Sequence, residues 1–178
     1  MSRIPAISDT QANPAQAGLF AAVKAALGVT PNLMRTVGNS PAALEGYLSL
    51  NGALGKGALS VGLRERIALT VAQLNGCDYC LSAHSYLGKN VAKLSEQEIN
   101  AARQGESSDT KADAALRFAR AVVEQRGRVN DASVAAVKAA GFGDDEVVEI
   151  VLNVALNILT NYFNNVAHTE IDFPVVRA

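Results

Sequence analysis

The stretch LRERIALTVAQLNGCDYCLSAHSYLGK, residues 63–89, holds two helical patterns with a stop between them. Ser60 stands where an N-cap belongs, and helical periodicity then holds as far as Leu74. Asn75-Gly76 ends that run, since glycine readily takes the left-handed conformation that closes a helix. A shorter helix comes next, carrying residues 77–87. Period-two alternation, the mark of a half-buried strand, is essentially missing here and along the whole chain. The expectation is an all-α fold.

The pattern continues outward from this pair. Ser95 and Glu98 form a capping box for a helix over 96–103, and further helices are expected over 111–125 and 131–140. Gly141-Phe142-Gly143 closes the second of these, and Asp144 is read as the cap of a long last helix to residue 167. Towards the N-terminus, Pro41 follows Ser40 as the first residue of a helix over 41–54. A short turn of helix after Pro31 and a helix over 15–27 precede it. Residues 1–14 read as an N-terminal arm, and 15–178 as one helical domain with no linker inside it.

A chain of 178 residues, 49% apolar and 19% charged, can bury a core without staples. The formal net charge of −1 and the scattered Lys and Arg argue against nucleic acid or an anionic membrane as partner. Residues 1–9 contain one basic residue and no apolar run, so no signal peptide is expected. The most apolar stretch, 147–159, is broken by Asn153 and Asn157 and is too short to span a bilayer. A cytoplasmic location follows as an expectation. There, thiols are kept reduced, and two cysteines three apart point to catalysis or metal binding.

Cys77 and Cys80 are i,i+3 and Cys80 and His84 are i,i+4, so a helix turns all three side chains roughly one way. At about 5 Å between α-carbons, an i,i+3 cysteine pair lies within disulfide range. The helix start at Cys77 offers unpaired N–H groups and a dipole that favour a thiolate, and His84 is placed to take a proton from Cys80. Glu65, on the preceding helix, interrupts an apolar stripe of Val61, Ala68, Leu69 and Ala72. A carboxylate there is either a proton acceptor or the structural partner of an arginine, and periodicity alone does not choose. Arg66 falls on a separate polar line with Thr70 and Gln73. Ordinary buried cysteines and a zinc site stay open too, although two Cys and one His fall short of four ligands. A thioredoxin-type centre would need strands. No cofactor is called for.

Glu65, Cys77-x-x-Cys80 and His84, set within residues 63–89, resemble the active-site pattern of the alkylhydroperoxidase D / carboxymuconolactone decarboxylase family. The ending LTNYFNNVAHTEIDFP, residues 159–174, is similar to that family's peroxidase-related branch. The resemblance implies an all-helical fold assembled as a trimer or hexamer. It implies that Cys80 attacks a hydroperoxide to give a sulfenic acid, which Cys77 resolves to a Cys77–Cys80 disulfide. Glu65 and His84 would form the proton relay, and a dithiol such as a lipoyl group on a partner protein would reduce the disulfide. The pattern departs from the family at Tyr79, where a histidine commonly precedes the second cysteine. Decarboxylases of the same fold lack the cysteine pair, so its presence here argues against lactone decarboxylation. Besides the peroxidase, two other readings are a non-catalytic oxidant-sensing or scaffold oligomer and a disulfide reductase acting on a non-peroxide substrate.

The last helix is apolar nearly all round, which predicts burial against partner subunits and hence a homo-oligomer. Asn153, Asn157, Asn161 and Asn164 recur along it at steps of three or four, with His168 next on the line. Such a stripe either lines a channel or satisfies its amides structurally, and the structural reading is preferred because buried amides need partners.

Overall fold

Side-chain caps start most of the helices of this protein. Asn13, Ser40, Ser60, Ser95, Asp109 and Asn130 each accept a hydrogen bond from a backbone N–H in the first turn of their helix. The computed structural model describes residues 2–178, and every regular element among them is a helix. In chain order these are α1 (Pro14–Leu27), α2 (Asn32–Val37), α3 (Pro41–Leu54), α4 (Val61–Leu74), α5 (Asp78–Asn90), α6 (Glu96–Arg103), α7 (Thr110–Glu124), α8 (Asp131–Ala139) and α9 (Asp144–Ala167). Two helix caps differ from expectation. Gly143 rather than Asp144 caps α9, because the Glu146 carboxylate reaches back to accept the Gly143 N–H at 2.9 Å. Cys77 is the N-cap of α5 rather than its first residue, and the helix runs on to Asn90.

Helix α4 is the hub. It packs on α5, α6, α7 and α9, and Ile67, Leu69, Val71 and Ala72 are wholly buried there. The polar line along its other side meets α6. Arg66 pairs with Glu98 at 2.6 Å, the Thr70 hydroxyl donates to the Ala102 carbonyl at 2.7 Å, and Arg103 donates to the Gln73 amide oxygen at 2.7 Å.

By length and composition α9 could cross a membrane. It packs as a core helix instead, against α3, α4, α5 and α7, with Ile150, Val154, Asn157, Asn161 and Asn164 buried. Ahead of α1 the chain lies along this body, with Arg3 N–H on the Ala167 carbonyl at 2.7 Å and Ile7 N–H on the Arg35 carbonyl at 3.3 Å.

The junction of α4 and α5 sets the position of Cys77. Gly76 takes φ +59°, its N–H donates to the Gln73 carbonyl at 3.2 Å, and the Cys77 N–H donates to the Ala72 carbonyl at 3.0 Å. This is a Schellman closure, and its last residue is also the cap of the next helix. A side chain at position 76 would meet no neighbouring atom but would strain that left-handed turn.

Candidate active site

Cys77 is therefore held at both ends by backbone. Its own N–H ends α4, and its sulfur accepts the Cys80 N–H at 3.3 Å at the start of α5. One helical turn on, the Cys80 sulfur lies 2.7 Å from that of Cys77. Both thiols are free and buried, Cys77 completely and Cys80 to within 2%. His84 stands on the same face and places Nδ1 2.8 Å from Oε2 of Glu65. The i,i+3,i+4 spacing and the polar break in the α4 stripe thus bring together all four residues read from the sequence.

The electrostatics separate the two thiols. The hydrogen bond from Cys77 is the largest influence on Cys80, and it pulls that thiol down to about 6, aided by the charge of His84 and by the amides of Asn164 and Asn161. Burial opposes this without overcoming it. Cys77 is pushed far up by the same hydrogen bond, by burial and by the charge on Cys80. Of the two thiols, Cys80 is the more readily ionised. For His84, burial works against protonation, but the Glu65 carboxylate more than offsets it and raises the imidazole. Because Nδ1 faces Glu65, Nε2 is the nitrogen left for a reacting group.

Two contributors carry no signal in the sequence that marks them as such. Tyr47 of α3 is half-buried, and burial together with the negative charges of Cys80 and Glu65 raises its phenol, which puts it beside the site. No spacing rule links a tyrosine on α3 to a motif thirty residues on. The other contributor is the α9 amide stripe, which divides in two. Asn153 and Asn157 donate to the carbonyls of Glu149 and Asn153, both at 2.8 Å, and so are satisfied within their own helix. Asn164 instead donates from Nδ2 to the Cys80 sulfur at 3.3 Å. The structural reading describes Asn153 and Asn157, and also the Oδ1 of Asn161, which accepts from Asn75 at the end of α4 at 2.9 Å; Asn164 turns to the thiol. His168 caps the end of α9 in a left-handed conformation.

Tyr79 is turned to another face of α5. Its hydroxyl donates to Asp172 at 2.8 Å and accepts the Leu33 N–H at 3.0 Å, and its ring meets Phe173 edge-on. Asp78, the other residue between the cysteines, binds Arg177 at 2.6 Å and the Ala178 N–H at 3.0 Å. The chain after α9 thus runs back along α5 and holds both intervening residues from behind. A surface hollow of about 330 Å³ lies elsewhere, bordered by Leu59, Leu63, Arg66 and Phe142, and none of the four site residues lines it. Among the described residues, no group of three or more His, Cys, Asp or Glu side chains is arranged to hold a metal.

The fold is that of the alkylhydroperoxidase core. A peroxidase-related protein from Ralstonia eutropha JMP134, described as an alkylhydroperoxidase AhpD core, superposes with a TM-score of 0.86 at 23% identity, covering 96% of this chain and 92% of that one. A peroxidase-related protein from Silicibacter sp. TM1040 gives 0.81 at 21% identity over 94% and 91%. The debrominase Bmp8 gives 0.80 at 21% identity over 95% and 91%. At such identities the likeness concerns the fold. No functionally curated protein matches the sequence. Residues 41–125, which span α3 to α7 and hold the whole Glu65–Cys77–Cys80–His84 set, match the model of the carboxymuconolactone decarboxylase family.

Proposed function

We propose that this protein is a thiol-dependent hydroperoxidase working through the Cys77–Cys80 pair. The observation that carries the reading is the division of labour within one buried cluster: a lowered thiol on Cys80, a raised one on Cys77 2.7 Å away, and an imidazole charged by a carboxylate at 2.8 Å. The Cys80 thiolate attacks the terminal oxygen of ROOH. The S–O bond forms as the O–O bond breaks, giving the sulfenic acid and RO⁻, which takes a proton from His84. Cys77 then attacks the sulfenic sulfur, the disulfide forms, and the departing hydroxide leaves as water with the Cys77 proton. An external dithiol, such as a lipoyl group on a protein, returns the pair to the reduced state by exchange and is itself oxidised to a disulfide. Glu65 keeps His84 protonated between turnovers.

The test is continuous peroxide consumption with dihydrolipoamide as reductant. Cys80→Ser should abolish it, and Cys77→Ser should stop after one turnover with a sulfenic acid that dimedone traps. A pair that oxidises once and recycles slowly with every dithiol would replace this reading with an oxidant sensor. Dithiol oxidation driven by a non-peroxide electrophile, with peroxides inert, would replace it with a reductase of another substrate class.

We further propose that a second copy of the chain covers the outer face of α9. Val148, Leu152, Leu159, Tyr162 and Val166 are all exposed along one side of this helix. That side carries no charged residue from Val147 to Ala167. Such a long uncharged apolar strip suits a contact between copies of the chain in a homo-oligomer, a trimer or hexamer in the family's manner.

A further inference from the structure

The last two amides of the α9 stripe end beside the Cys80 sulfur, and each keeps one polar atom without a protein partner. Asn164 is buried to 3% exposure and uses Nδ2 on the sulfur at 3.3 Å, while its Oδ1 is buried and accepts nothing. Asn161 is wholly buried. Its Oδ1 accepts from Nδ2 of Asn75 at 2.9 Å, which fixes the amide plane, and its buried Nδ2 lies near enough to Cys80 to lower that thiol without completing a hydrogen bond to it. Asn75 is held in turn by Asn165, whose Nδ2 donates to the Asn75 carbonyl at 3.0 Å. Native proteins rarely leave buried amide atoms unpaired, and such atoms cluster where a ligand supplies the missing partner.

The donor and acceptor inventory says what that ligand must offer. An amide Nδ2–H suits an anionic sulfur, and an amide Oδ1 needs an O–H or N–H donor. The terminal oxygen of a hydroperoxide carries its hydrogen through the whole transfer, first as HO–OR and then as Cys80 S–OH. We propose that Asn164 is a catalytic residue whose Nδ2–H holds the Cys80 sulfur while its Oδ1 accepts the O–H of the oxygen being transferred, with Asn161, keyed by Asn75, positioned beside it. The substrate oxygen is then held by its hydrogen against the sulfur, and RO⁻ departs on the far side, where His84 protonates it. This rests on the peroxidase reading for its second half only. The hold on the sulfur stands on the geometry of the reduced protein.

The experiment uses the full-length reduced protein and two readouts. One is the pH dependence of Cys80 alkylation by iodoacetamide, resolved from Cys77 by mass spectrometry. The other is kcat/KM for hydrogen peroxide and for cumene hydroperoxide with dihydrolipoamide. Asn164→Ala should move the alkylation midpoint up by about one to two pH units, the worth of a lost hydrogen bond to a charged group. It should lower kcat/KM about a hundredfold, as loss of a preorganised donor does. Asn164→Asp keeps the shape and the acceptor and loses the donor, so it should move the midpoint at least as far even if the alanine variant folds poorly. Asn157→Ala, back-bonded in its own helix, should change neither readout. An unchanged midpoint in both Asn164 variants overturns the inference. If the midpoint moves but wild-type protein consumes no peroxide, the peroxidase reading and the O–H contact fall, and the hold on the sulfur stands.

Discussion

Replacing Tyr79 with phenylalanine tests whether the residue between the cysteines serves the fold or the chemistry. The change removes one oxygen and leaves the ring against Phe173. Two hydrogen bonds go with it, one accepted from the Leu33 N–H at 3.0 Å and one donated to Asp172 at 2.8 Å. Leu33 is buried, so its N–H is stranded at a cost of about 1–3 kcal/mol. Asp172 is exposed and also accepts the Asn32 N–H at 2.8 Å, so water screens its loss and the second bond adds little. The sum is about 2 kcal/mol, which for a domain of this size lowers Tm by about 4–8 °C. Thermal and urea unfolding of the reduced protein read this directly. A double-mutant cycle with Asp172→Ala should return a coupling below about 1 kcal/mol. The alkylation midpoint of Cys80 and the turnover per folded molecule should stay close to wild type, since the hydroxyl bonds Leu33 and Asp172 and neither sulfur. Unchanged stability with a collapsed turnover, or a displaced pH limb, would refute the reasoning and place Tyr79 in the proton relay.

Four other predictions concern the cysteine site and the outer face of α9. Because the Glu65 carboxylate is what raises His84 against its burial, Glu65→Gln should lower the imidazole titration observed by NMR, and turnover should fall about 100-fold or more. With Cys80 drawn down to about 6, its thiolate fraction grows as pH rises through that value, so alkylation and peroxide reduction should both switch on over roughly pH 5–7 and then level off. Cys77→Ala removes the largest lowering influence and should displace that rise to higher pH; a midpoint that does not move would show that Cys77 is not the donor. Leu159→Asp, on the exposed side of α9, should reduce the mass measured by light scattering while leaving the helical circular dichroism intact, and an unchanged mass would place the subunit contact elsewhere.

The legibility of the site in the sequence divides along the range of the contacts. Cys77, Cys80 and His84 sit within eight residues, and helical spacing alone sets their common face. Glu65 stands out as a carboxylate in an apolar stripe, and the Gly76 closure that joins the two helices is signalled by Asn75-Gly76. Asn164 reaches the sulfur and Tyr47 stands beside the site, both from helices whose packing no local pattern encodes. An asparagine in a buried helix has the same signature whether it bonds back to its own turn, as Asn153 and Asn157 do, or reaches across to a thiol. The direction of Tyr79 is legible from spacing, since one residue before Cys80 lies about 100° round the helix from it.

The long-range donors also explain why the pair is asymmetric although both cysteines are buried. The helix start favours a thiolate near Cys77, and by that effect alone Cys77 would be the nucleophile. Its sulfur is instead the cap, accepting the Cys80 N–H at 3.3 Å with Cys80 itself as its other neighbour. Cys80 collects the Cys77 thiol from its own helix, His84 one turn on, and the amides of Asn164 and Asn161 from α9. A dipole at a helix terminus is worth about 0.3–1 kcal/mol, whereas each hydrogen bond to an ionised group is worth about 1.5–3 kcal/mol. The charge therefore settles on the cysteine with more donors, one turn inside the helix, and the cap keeps the proton it needs to resolve the sulfenic acid.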